Sequence, residues 1–116
     1  MKFMQLLQIL LLALLSSAVE STAQQQSQQA VKALEQIKAR AEKGDAQAQL
    51  DLGNCYLFGT GTSKSLSKAI KWHRKAAEQG LAQAQFLLGL EYSEGDGIKQ
   101  DKIEAVKWIR KAAAPN

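Results

Sequence analysis

Cysteine, proline and histidine each occur once in this 116-residue chain. The single cysteine, Cys55, excludes an internal disulfide, so in an oxidising compartment it must be buried, free, or paired with another chain. The single histidine, His73, has no cysteine or carboxylate at ligand spacing in the sequence. That leaves no metal set and no visible nucleophile–base pair, because Ser65 and Ser67 read as helix-capping residues. No basic run is interleaved with stacking aromatics, and the net charge of +4 is a mild excess, so a nucleic-acid surface is excluded. No cofactor is expected. The longest apolar stretch, Phe3 to Leu15, has Gln5 and Gln8 inside it and falls short of the roughly 20 apolar residues that cross a bilayer.

What is present begins with that stretch. Lys2 supplies a positive charge, Ile9 to Leu15 is unbroken apolar sequence, and Ser21-Thr22-Ala23 places small residues at a cleavage site. This is the pattern of a secretory signal peptide over 1–23, with an earlier cut after Ala18 as the alternative. No cysteine follows the apolar run, which argues against a lipoprotein anchor. The expected location is therefore secreted or periplasmic, with no stable membrane span after cleavage. Gln24 to Gln29 has no apolar periodicity and reads as a flexible Gln-rich leader over 24–29.

From Ala30 the pattern turns helical. Val31, Leu34, Ile37 and Ala41 form one stripe of a helix that Gly44 ends, giving an N-terminal capping helix over 30–44. Beyond it the chain repeats itself. Ala41–Ala77 set against Ala77–Ala113, a shift of 36 residues, gives 19 identities in 37 positions without an insertion. Asp45, Ser65 and Asp101 are N-cap residues, and Glu104 completes a near capping box with Asp101. The predicted helices are 46–58, 66–79, 82–93 and 102–114, with Pro115 and Asn116 as a stop. Repeat 1 is 45–80 and repeat 2 is 81–116. The fold class is all-α, a short solenoid of antiparallel helix pairs led by one half-repeat helix. Gly53 and Gly89 sit mid-helix at about 1 kcal/mol relative to Ala. Such a cost at one place in both copies implies close approach of the partner helix.

The pattern Ala-Glu-x-Gly-x-Ala-x-Ala-Gln-x-x-Leu-Gly-x-x-Tyr, then Gly-x-Gly, Lys-Trp and Arg-Lys-Ala-Ala resembles the Sel1-like repeat, a tetratricopeptide relative. The resemblance covers Ala41 to Ala113. It implies a right-handed α-solenoid and a role in protein–protein interaction, and no shared chemistry. Some secreted relatives carry cysteine pairs within each unit, and one such group is credited with β-lactam binding or hydrolysis. The lone cysteine here departs from that branch, so an envelope hydrolase is the disfavoured alternative and no catalytic residue is expected. The chain also has two full units where stable stacks usually need about three. A third reading is a truncated or decaying remnant of a longer solenoid with no function of its own.

Several positions carry competing readings. Cys55 is either a small buried residue or a thiol that is reactive or bonded to another chain. His73 sits on an apolar stripe and reads as a packing residue. Gly59-x-Gly61 and Gly95-x-Gly97 follow helices and so read as turns, not as a dinucleotide fingerprint. Lys68, Lys71, Arg74, Lys75, Lys107, Arg110 and Lys111 make a basic strip, either a solvated face or a weak patch for an acidic partner. In stacks of this kind the first helices line a groove, where Gln47, Asp51, Asn54, Gln83, Leu87 and Leu90 are the candidate partner-binding positions. Leu87 is either an exposed anchor or a residue packed on the following helix. No capping helix is expected after Ala114, so self-association would cover the last unit's face.

Overall fold

The computed structural model describes residues 2–114; Met1 and the expected stop at Pro115–Asn116 lie outside the described residues. Five helices follow one another: α1 (Lys2–Glu42), α2 (Ala46–Phe58), α3 (Leu66–Glu78), α4 (Ala82–Glu94) and α5 (Lys102–Ala113). Among the described residues there is no strand. The ends of α2 to α5 fall within a residue of those expected. Each helix packs on the next in sequence, giving a linear solenoid.

The first helix departs from expectation. Gln24–Gln29, expected as an irregular leader, is helical, and α1 runs unbroken through the apolar segment, the glutamines and the leading half repeat. No glycine or proline interrupts it, and glutamine is a good helix former, so nothing local breaks the backbone ladder. Apolar periodicity reports what a helix packs against, and residues 2–29 pack on nothing: all are exposed. By length and composition α1 is also apolar enough to cross a membrane, since no charge falls between Lys2 and Glu20. A signal sequence meets the same description.

Helix ends are set by the expected residues. Asp45 accepts from the Ala48 N–H at 3.1 Å, and Ser65 caps α3 through the Lys68 N–H. Gly44 and Gly80, at φ 100° and 95°, take the left-handed backbone that turns the chain into the next unit. The capping box at α5 is only half formed. Asp101 accepts from the Ile103 and Glu104 N–H groups, but its own N–H donates to the Tyr92 carbonyl and Glu104 pairs with Lys107.

Two cores hold the stack. One joins Ala41 of α1 to Ala48, Leu52 and Tyr56 of α2 and Ala69 of α3. The other joins Leu50, Ile70, Ala76 and Ala77 of repeat 1 to Ala84 and Leu88 of repeat 2. Leu52 and Leu88, equivalent by the 36-residue shift, are both fully buried. The mid-helix glycines allow this packing. A Cβ on Gly53 would lie 2.6 Å from His73 Nε2 and 3.0 Å from the Ala69 carbonyl oxygen. One on Gly89 would lie 2.6 Å from Ile109 Cγ1 and 3.0 Å from the Ala105 carbonyl oxygen.

Candidate functional site

The most distinctive polar cluster lies at the junction of the repeats. His73 on α3 is completely buried. Its Nδ1 meets Glu91 Oε1 of α4, and its Nε2 lies 3.0 Å from Asn54 Oδ1 of α2. The carboxylate partner absent at ligand spacing in the sequence thus arrives from the next repeat. Nδ1–H donates to the Glu91 carboxylate, and Nε2 pairs with the Asn54 side-chain amide, which can accept through its oxygen or donate through its NH2 according to whether Nε2 carries a proton. The other oxygen, Glu91 Oε2, is buried with no partner. Glu91 lines a cavity of about 50 Å³ together with Leu57, Leu66 and Asp96. Both ring nitrogens are taken and the ring is shut from solvent, so the cluster ties helices together and offers no base to a substrate.

The expected surface positions divide. Gln47 is exposed and donates to Asp51 Oδ1 at 3.1 Å. Gln83 is exposed, while Leu87 and Leu90 are half-buried, Leu87 against the inter-repeat core. Gln47, Asp51 and Asn54 share one face of α2, and Gln83, Leu87 and Leu90 share the matching face of α4. Asn54 is drawn inward by its bond to His73.

The basic strip is laid against aromatic rings. Lys75 stands 4.6 Å over Trp72 and Lys111 stands 4.5 Å over Trp108, the same arrangement in both units. Arg74 lies over Tyr92 and also donates to its hydroxyl, a second tie between repeats. Lys71, Lys107 and Arg110 remain exposed. Cys55 is half-buried and unbonded; burial, reinforced by the Asp51 carboxylate, pushes its thiol above the ordinary value. The Gly-x-Gly segments are turns, with Gly61 against Ala30 and Leu34 and Gly97 against Leu66 and Ile70. Among the described residues no cluster of three metal-binding side chains forms.

Sequence reasoning did not single out Glu91 or Tyr92 as junction residues. The signal available was disagreement between the copies: His73, Asn54 and Glu91 stand opposite Ile109, Leu90 and Cys55 under the 36-residue shift. All three differences converge on one buried contact.

The repeat register, the glycine-seated helix pairs and the doubled core match one known architecture. The Sel1 repeat family model matches residues 46–81 and 82–114. The chain belongs to the Sel1 repeat family. Sel1 repeats typically mediate protein–protein interaction. Among solved structures, a Sel1 repeat protein from Oxalobacter formigenes is 44% identical, with a TM-score of 0.71 over 72% of this chain and 35% of that one. A protective antigen present in uropathogenic Escherichia coli strains, displaying an SLR fold, is 51% identical. Its TM-score is 0.67, over 69% of this chain and 17% of that one. This chain therefore spans a minor part of each relative's length. No curated protein matches it.

Proposed function

We propose that this Sel1 chain is a secreted or periplasmic adaptor that binds a protein partner across the exposed faces of its first helices, α2 and α4. The observation that carries the reading is the pairing of two unlike surfaces at one register. Gln47 and Asp51 make a polar patch on α2, and the half-exposed Leu87 and Leu90 make an apolar one on α4. A partner segment crossing both would bury the leucines and hydrogen-bond to the glutamines. Asn54, on the same face of α2, is held by His73. Lys2 followed by the apolar run to Leu15 supports export, with cleavage after Ala23 or Ala18.

Crosslinked pull-down from the envelope fraction, with Leu87→Asp as the control, tests the surface. Loss of the captured partner is expected, and unchanged capture by the variant overturns the assignment. Intact mass of the exported protein should show a start at Gln24 or Val19; a full-length product contradicts cleavage. Nitrocefin turnover by the same material would instead favour the hydrolase reading.

A further inference from the structure

The 36-residue shift relates three helices, not two. The last turns of α1 meet α2 as α3 meets α4. Gln49 donates to the Ala41 carbonyl at 3.1 Å and Gln85 to the Ala77 carbonyl at 3.2 Å. Gly61 lies against Ala30 and Leu34, as Gly97 lies against Leu66 and Ile70. By the same shift, α5 presents Val106, Ile109 and Ala113 where α3 presents Ile70, His73 and Ala77, and where α1 presents Leu34, Ile37 and Ala41. Burial shows what that face takes. Leu50 and Ile70 are 3% and 7% exposed at the inter-repeat junction, while their counterparts Phe86 and Val106 are 47% and 46% exposed.

Chemistry selects which helix fits. At the α3–α4 junction the facing positions hold His73 and Glu91. At the α1–α2 junction the same positions hold Ile37 and Cys55. α5 carries Ile109, so it matches α2 and not α4: placed on α4 it would bury the Glu91 carboxylate without its imidazole. Leu90 in place of Asn54 leads the same way. The current occupant of α2 is α1, packed there through Leu34, Ile37 and Ala41. Ala41 is the only buried residue of α1, and Arg40 stands where α3 has the buried Ala76. Gly44, at φ 100° with open space around it, links α1 to α2.

We propose that a second copy of this chain docks its α4–α5 end face on α2, seating Ile109 opposite Cys55 and displacing the last turns of α1. The contact is heterologous, so repetition builds head-to-tail stacks in which α1 caps only the leading copy. It buries Val106, whose counterpart in α1 is Leu34, and Phe86, for which α1 has no counterpart in space. This contact leaves the Leu87 and Leu90 part of the partner surface proposed above untouched and shares only Gln83 with it, which lines one groove with Phe86 and Ile109.

The test uses the native cysteine. In the full protein carrying Ile109→Cys, mild oxidation should join Cys55 of one copy to the thiol introduced at position 109 of the next. Peptide mass mapping reads that bond, and a non-reducing gel shows it as a ladder of multimers. The variant Ile37→Cys should close an intramolecular bond to Cys55, verifying the register. Adding Phe86→Asp to Ile109→Cys should cut multimer yield at least tenfold. Since Phe86 is exposed, the melting temperature should not fall with it. Bonds joining only the two introduced thiols would mean back-to-back pairing. A monomer, beside an Ile37→Cys control that closes on Cys55, would mean no association. Either result overturns the proposal.

Discussion

His73 of repeat 1 is fully buried and bonded through Nδ1 to Glu91 of repeat 2, so the junction between repeats is fastened by a polar pair inside an apolar core. Such a pair is costly to break and of modest net worth when replaced whole. Glu91→Cys alone leaves a buried imidazole N–H without an acceptor and should lose about 1–3 kcal/mol of stability. His73→Ile with Glu91→Cys, which copies the Ile37/Cys55 pair of the first junction, should recover most of that loss. Urea unfolding of the cycle should show a coupling of about 1 kcal/mol or more. Additive losses would mean the two side chains do not interact.

Gly53→Ala tests close packing by its sign. A mid-helix glycine ordinarily yields about 1 kcal/mol on conversion to alanine. Here the new methyl would meet His73 Nε2 at 2.6 Å, and the ring is held from two sides, so a net loss of about 1–3 kcal/mol is expected. Gly89→Ala meets Ile109, which is less buried and can turn aside, so its loss should be smaller. A melting temperature raised by Gly53→Ala would refute this account.

Cys55 should resist alkylation at neutral pH, because burial and the Asp51 charge hold its thiol above the ordinary value. Asp51→Asn removes the smaller cause, so iodoacetamide labelling near pH 8.5 should quicken without reaching the rate of an unfolded peptide. The same shift has a stability consequence. The folded state keeps the proton longer than the unfolded one, so stability is unaffected at pH 7. It falls as pH rises from the ordinary thiol value through the raised one. Cys55→Ser should flatten that alkaline decline; an identical slope in the variant would remove Cys55 as its source.

Gln85→Leu should cost about 1–3 kcal/mol, since it strips the Ala77 carbonyl of a buried donor at the turn between repeats. Gln49→Leu should lower the melting temperature further, because Gln49 does the same for Ala41 and also accepts from Gln79 Nε2 at 2.8 Å. A neutral effect at both positions would mean that water replaces the amides.

The helix ends were legible because each is set locally. Asp45, Ser65, Gly44 and Gly80 act within a few residues of themselves, and their effects survive any tertiary arrangement. Gly53 and Gly89 were legible through repetition, since the same local cost at the same place implies one shared contact. The Gln24–Gln29 segment is helical against expectation because lack of periodicity is not lack of helix: glutamine is a good helix former and no glycine or proline interrupts the run. Glu91 stayed hidden because its partner is 18 residues away on another helix, a distance no local pattern reports.

The sequence alone determined the period, the pairing of helices and their ends, because caps, glycines and apolar stripes act at fixed short spacings. Tertiary stacking decided where the copies' differences would count. It brought Asn54, His73 and Glu91 into one buried contact and left Phe86 and Val106 in solvent where Leu50 and Ile70 are covered. The reason is physical: burial and hydrogen bonding depend on which helix comes to lie alongside, and that neighbour is chosen by the whole stack.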